Sequence, residues 1–180
     1  MGVNSLEKRE MSTRVRTLLV LGGLVLLIDL LSKSFISRAL PLGRSLDLLD
    51  GILRITPIRN KGAIFGLSLG DSTGSILLIV SSLAVTFIII SYFRFPFGSM
   101  WYGRGLILIL SGALGNLFDR ITLGEVRDFI DIGVGDMRWP IFNVADLAVT
   151  AGAILLAMEF LGQNKKKEAS HERGEGGPGF

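Results

Sequence analysis

Between Gly112 and Asp146 the chain reads GALGNLFDRITLGEVRDFIDIGVGDMRWPIFNVAD. This stretch holds six acidic residues, Asp119, Glu125, Asp128, Asp131, Asp136 and Asp146, together with Asn116, Asn143 and three arginines. Polar groups gathered beside long apolar runs mark a functional site in a membrane chain. The chemistry open to them is narrow. The chain has no cysteine, and its one histidine, His171, lies in a polar tail. That excludes a thiol nucleophile and a thiolate metal site, and disfavours a Ser-His-Asp triad or a histidine-ligated metal. Carboxylates remain. Two held close together cannot both ionise cheaply. One then keeps a proton and polarises a carbonyl while the other deprotonates water, as in aspartic proteases. Spacing favours Asp128 with Asp146. The plainer alternative stays open here: Asp128 as a solvated loop acid and Asp146 as an interfacial helix residue. Asp131, Asp136 and Glu125 read as solvated loop acids, and Asp119 with Arg120 as a charge pair at a helix end.

Other residues stand where they can support such a pair. Asn116 and Arg120 are four apart, and Asn143 and Asp146 three apart, so each couple shares a helix face. Pro140 suits an early position of the helix carrying the second couple. Gly112 and Gly115 allow close helix approach. Asn60 offers both a donor and an acceptor to a bound peptide, or serves as a turn residue before Gly62. Asp29 and Lys33, four apart, read equally as an ion pair or as functional groups. A serine–lysine protease would need Lys33 or Lys61 as base. Ser32 adjoins Lys33 but does not face it on a helix, so that rival would need a more distant serine.

These residues need elements to hold them. The 180 residues suffice for one domain, about half are hydrophobic, and mean hydropathy is +0.53. The pattern predicts an α-helical integral membrane protein with four transmembrane helices, at about 17–39, 75–93, 103–121 and 141–161. Roughly 20 apolar residues cross a hydrocarbon core, and helices satisfy their own backbone groups in lipid. Residues 1–16 read as a polar leader, and 162–180 as a disordered, charged tail. SKSFISRAL after the first apolar run shows no cleavage signal, so that run is read as an uncleaved span. Lys8, Arg9, Arg14, Arg16, Arg94, Arg104, Lys165, Lys166, Lys167 and Arg173 place both termini in the cytoplasm. The Leu40–Gly74 and Thr122–Pro140 loops then lie on the outer face. In the first, apolar–polar alternation around Asp50-Gly51 predicts a small hairpin on the membrane surface. The net charge of +3 comes from basic residues beside the apolar runs and does not imply nucleic acid.

Five blocks carry a resemblance. In order they are DLLSK (Asp29–Lys33), NKGAIFG (Asn60–Gly66), GALGNLFDR (Gly112–Arg120), VRDFID (Val126–Asp131) and WPIFNVAD (Trp139–Asp146). With them the chain resembles lipoprotein signal peptidase, or signal peptidase II, a family of bacterial membrane aspartyl proteases, from about Leu18 to Leu161. The resemblance implies that Asp128 and Asp146 are the catalytic pair. It implies that Asn60, Asn116, Arg120 and Asn143 line the site or bind substrate, with Asp29 and Lys33 in support, and that no metal or cofactor takes part. It further implies an outer β-type cradle, a lid at about Gly124–Arg138 freed by Gly133 and Gly135, and a substrate: a prolipoprotein, cut just before its diacylglyceryl-modified cysteine. Leu30 and Ser32 stand where the family usually has glutamine and threonine. Arg127 stands where it usually has an apolar residue.

The expectation is therefore a membrane aspartyl endopeptidase of the bacterial inner membrane, monomeric, with its site toward the outer face and lipid and prolipoprotein as partners. The rivals are a small proton- or ion-conducting membrane protein, with Asp29 and Asp146 as relay sites, and a non-catalytic membrane subunit. Asp128, read in a loop outside the spans, separates them: a dyad requires it and a path through lipid does not.

Overall fold

The computed structural model describes residues 5–61, 80, 87 and 99–174. Helix α1 runs over Ser5–Ala39, strands β1 and β2 over Leu46–Leu49 and Leu53–Asn60, and helix α2 over Met100–Leu123. Strands β3 and β4 follow at Val126–Val134 and Met137–Arg138, then helix α3 at Val144–Gly174. The expected span at 75–93 lies outside the described residues save Val80 and Phe87, as does NKGAIFG beyond Lys61.

Three helical stretches are long and apolar enough to cross a membrane: Met11–Ala39, Met100–Leu123 and Val144–Asn164. Their large apolar side chains point outward, among them Leu24, Leu27, Leu31, Phe35, Ile154 and Phe160. Asp29, Lys33, Asp119 and Asn143 are fully buried. A water-soluble core would be arranged the other way round. Lipid accepts the apolar rim, while polar groups must find partners inside the bundle.

The helices overrun the spans. The leader is helical from Ser5, and the tail expected to be disordered from 162 is helical through Gly174. Both extensions are rich in Glu, Lys, Arg and other good helix formers, and lengthening an existing helix needs no new nucleus.

Helix α2 packs chiefly on α3, and α1 on α2. At the crossing of α2 and α3, a Cβ on Gly112 would run into the backbone carbonyl of Ala145. Glycine there lets the two backbones approach closely. Gly124, left-handed at φ 75°, ends α2, its N–H donating to Arg120 O at 3.1 Å. The chain then turns at once into β3.

The antiparallel sheet has the order β1-β2-β3-β4. The expected hairpin forms. Asp50 (φ 41°) and Gly51 (φ 85°) are both left-handed, and Ile52 N–H donates to Leu49 O at 2.7 Å, as a two-residue hairpin turn with φ > 0 at both central positions requires. Strand β2 pairs with β3 from Leu53↔Ile132 to Asn60↔Val126, with an irregularity between Ile55 and Ile58. Pro57, which has no N–H to donate, sits within it.

The Thr122–Pro140 connection is therefore mostly strand. The segment that the resemblance makes a lid is β3 and β4, fastened to the neighbouring hairpin. Arg138 donates from Nε to Asp131 Oδ1 (2.8 Å) and from Nη1 to Gly51 O (2.5 Å). Thr56 Oγ1 donates to Asp131 Oδ2 (3.1 Å). Asp131 is thus a buried structural acid rather than a solvated one. Glu125 pairs with Arg59 at 3.6 Å, whereas Asp136 is exposed as expected.

Candidate active site

Helix α3 begins later than the pattern predicts, and the delay builds the site. Residues 139–142 run antiparallel to β3. Trp139 N–H donates to Ile132 O (2.8 Å), Phe142 N–H to Ile130 O (3.1 Å), and Ile130 N–H to Phe142 O (2.8 Å). Pro140 thus lies in this extended strip and not in the first turn. Asn143 follows as the residue before α3. Its Oδ1 accepts from Asp146 N–H at 3.0 Å, and its own N–H donates to Asp146 Oδ2 at 3.1 Å. This is a reciprocal capping box, with asparagine and aspartate in place of the commoner serine or threonine and glutamate. Asp146 is thereby held by the end of the helix that carries it.

Asp128 arrives from the other side. It sits on β3 opposite Ile58, 3% exposed. Its Oδ1 accepts from Asn143 Nδ2 at 2.6 Å and its Oδ2 from Asn60 Nδ2 at 2.9 Å. Two amides then join the aspartates. Asn143 Nδ2 also donates to Asn116 Oδ1 (3.1 Å), and Asn116 Nδ2 donates to Asp146 Oδ1 (2.7 Å). The three asparagines expected near the pair all touch it: Asn60 and Asn143 donate to Asp128, and Asn116 donates to Asp146.

Burial is the main cause that pushes the Asp128 carboxyl up to about 6. The charge of Asp146 adds to it, while the amides of Asn60 and Asn143 and the charge of Lys33 oppose it. A carboxyl held there can exchange its proton near neutral pH. The Arg120 guanidinium, half-buried, feels the charges of Asp146, Asp128 and Asp119. It makes no ion pair within 4 Å among the described residues, which leaves its donors free for a bound group.

Behind the pair lies a second layer. Lys33 Nζ is 2.8 Å from Asp29 Oδ2 and donates to Asn116 Oδ1 at 2.9 Å. Asp29 Oδ1 accepts from Ala145 N–H at 2.8 Å, in the first turn of α3. Gly115 makes room for it, since a Cβ there would collide with the Asp29 carboxylate. The ion pair thus reaches the site through Asn116 and the start of α3. The serine–lysine arrangement does not form at Lys33: Ser32 Oγ donates to Asp29 O and Ser37 Oγ to Lys33 O.

Asp119 does not pair with Arg120. It is fully buried and bound by Arg127, from Nη2 to Oδ1 at 2.5 Å and from Nε to both oxygens at 3.2 Å. The backbone N–H of Arg127 also donates to Asp119 Oδ2 (3.1 Å). Sequence reasoning missed this couple. Its signal, an acid on one side of a glycine helix stop and an arginine on the other, has no fixed spacing to find it by.

The similarities of the chain agree with this architecture. Residues 21–162 match the family model for signal peptidase (SPase) II. The chain belongs to that family. It is 37% identical over 152 residues to the lipoprotein signal peptidase of Syntrophus aciditrophicus, covering 83% of this chain and 94% of that one. To the lipoprotein signal peptidase of Geobacter sulfurreducens it is 38% identical over 156 residues, covering 86% and 96%. A bacterial membrane enzyme solved by the in meso method at 2.3 Å superposes with a TM-score of 0.77 at 28% identity, over 85% of this chain and 92% of that one. A second, solved in the same way at 1.9 Å, gives 0.73 at 30% identity, over 82% and 94%. Members of the signal peptidase II family are peptidases, so the ion-conducting and non-catalytic alternatives give way to an enzyme embedded in a membrane by apolar helices.

Proposed function

We propose that this signal peptidase II is an aspartyl endopeptidase in which Asp128 and Asp146 are the catalytic pair, acting on diacylglyceryl-modified prolipoproteins just before the lipidated cysteine. The observation that carries the proposal is the pair of asparagines, Asn143 and Asn116, that links the two carboxylates. Asp128 is the more deeply buried and starts protonated, while Asp146, half-buried and near Arg120, serves as the base. Asp146 removes a proton from a water, whose oxygen attacks the scissile carbonyl carbon. Asp128 donates to the developing oxyanion. When the tetrahedral carbon collapses, the oxyanion's proton returns to Asp128 as the C=O reforms, the C–N bond breaks and the leaving nitrogen takes the proton gained by Asp146. The products are a carboxylic acid on the signal peptide and a free amine on the lipidated cysteine. Asn60 and Arg120 hold the peptide backbone, and Asp29, Lys33, Asn116 and Asn143 position the pair.

The bundle comprises four spans, the three described and the one at 75–93. Its site faces the outer side of the bacterial inner membrane and both chain ends face the cytoplasm, as the basic flanks favour. Acyl chains of the substrate stay in lipid beside the outward apolar faces while the peptide enters the polar site, and one copy suffices. With the purified protein in lipid, the diacylglyceryl-modified precursor is cleaved rapidly and the unmodified precursor poorly. Equal rates on both would remove the role of the lipid anchor.

The protonated state of Asp128 sets a basic limb in the pH profile. Its carboxyl must hold a proton to act, so activity falls as pH rises through its pKa. In kcat/KM, which reports the free enzyme, that limb lies at pH 6 or above, since a bilayer adds to the burial. In kcat it lies higher, because bound peptide displaces water from the carboxyl. Asn60→Ala removes a donor that favours the ionised form, and the limb moves upward. A limb in the ordinary carboxylate range, or a downward move in Asn60→Ala, would exclude Asp128 as the proton carrier.

A further inference from the structure

Arg127 and Asp119 lie outside the residues assigned above, yet they form the only ion pair between β3 and α2 among the described residues. Side chains alternate along a strand. Arg127, opposite Arg59, therefore leaves the sheet on the face away from Asp128, which stands opposite Ile58. From that face the guanidinium reaches the C-terminal part of α2 and grips Asp119 with two nitrogens, while its backbone N–H holds the same carboxylate. The backbone immediately before Asp128 is pinned to α2 in this way.

The charges around this grip explain what else it does. Around it lie Asp29 and Lys33 on α1, Asp119 and Arg120 on α2 and the Arg59–Glu125 pair, while Asp128 stands on the opposite face of β3 and, with Asp146, acts on Arg120. Lys33 lies 2.8 Å from Asp29 and 3.5 Å from Asp119. With Arg127 on Asp119, each fully buried carboxylate has a cation of its own. Lys33 is then free to donate to Asn116 Oδ1. That bond, with the one from Asn143, occupies the carbonyl end of the Asn116 amide and turns its NH2 toward Asp146. Without Arg127 one ammonium would serve two buried carboxylates, and an uncompensated negative charge would stand next to the site.

We infer that Arg127 is a positioning residue of the cleavage reaction: by holding Asp119 it fixes the strand that carries Asp128 and releases Lys33 to orient Asn116 on Asp146. The inference rests on the aspartyl pair proposed above. Arg127 touches no reacting atom, so its loss acts on turnover and on the charge state of the pair rather than on binding.

The test is steady-state cleavage of a lipidated precursor by the full chain in lipid, over a range of pH. Arg127→Met and Arg127→Gln each lower kcat about tenfold, the scale of a small misplacement of a catalytic group, with KM little changed. In both, the basic limb moves to higher pH, because the unbalanced Asp119 charge favours protonated carboxyls. Arg127→Lys restores the charge and returns the limb to its original position. If Arg127→Met does not fold, Arg127→Gln carries the comparison. Wild-type kcat and an unmoved limb in a folded neutral variant would overturn the inference, as would a fall in kcat with the limb unmoved, which marks a purely structural role. Asp128→Asn run alongside separates the two readings. If it is inactive while the neutral Arg127 variants behave as wild type, only the role of Arg127 fails. If it is active, the aspartyl pair itself fails.

Discussion

Asp128→Asn and Asp146→Asn are each expected to lower kcat by about a thousandfold or more, toward the upper end of what a positioned acid or base contributes. Asparagine keeps the size and one acceptor of aspartate but can neither take a proton from water nor give one to an oxyanion. The step needs both functions at once. Once either is gone the other has nothing to act with, so the double variant should be scarcely slower than the single ones. The fold should survive. Asp146→Asn keeps an oxygen for the capping box with Asn143. Each variant loses one bond, because Asp146 also accepts from Asn116 Nδ2 and Asp128 accepts from two amide donors, Asn60 and Asn143, and an asparagine meets one of its two donors donor to donor. An unmade buried hydrogen bond costs about 1–3 kcal/mol, which lowers the unfolding midpoint without abolishing the native state. The measurement is turnover of a lipidated precursor beside thermal unfolding of the same samples. A folded variant within a factor of ten of wild type would remove that aspartate from the chemistry.

The second large effect is on stability. Lys33→Met takes away the cation paired with fully buried Asp29. Breaking a buried pair from one side costs about 3–5 kcal/mol, since a charge is left uncompensated. Asn116 Oδ1 loses a donor as well, so activity falls with stability. Asp29→Asn together with Lys33→Met removes both charges while keeping an acceptor for Ala145 N–H. The double variant should therefore be destabilised by less than the sum of the two single changes, the sign expected for directly coupled partners. Thermal unfolding in a fixed detergent gives all four midpoints. Simple additivity would mean that Asp29 and Lys33 act separately.

The surroundings of Asp119 and Asp131 show where sequence reasoning loses its hold. Both are buried and ion-paired, Asp119 with Arg127 and Asp131 with Arg138, although their neighbours in the chain look like a helix end and a loop. Strand β3 was hidden for a related reason. VRDFIDIGV does not alternate cleanly, because both faces bury residues, Val126 and Asp128 on one and Phe129 and Asp131 on the other. Helix α3 starts at Val144 and not at about 141, because residues 139–142 satisfy their backbone groups against β3 instead of in a helical turn.

What the sequence determined by itself is what depends on composition and local order. Long apolar runs require helices in lipid, Asp50-Gly51 requires a tight hairpin, and the lack of cysteine with a lone tail histidine leaves carboxylates as the available chemistry. Five ordered blocks were enough to identify the family. Tertiary structure alone decided which of the six acids between Gly112 and Asp146 face one another. Asp128 and Asp146 are joined through Asn143 and Asn116, and Lys33 is shared between Asp29, Asn116 and Asp119. Those links run between a strand and three helices. A hydrogen bond exists only within about 3 Å, and spacing along a chain does not specify distances between elements that meet only in the folded protein.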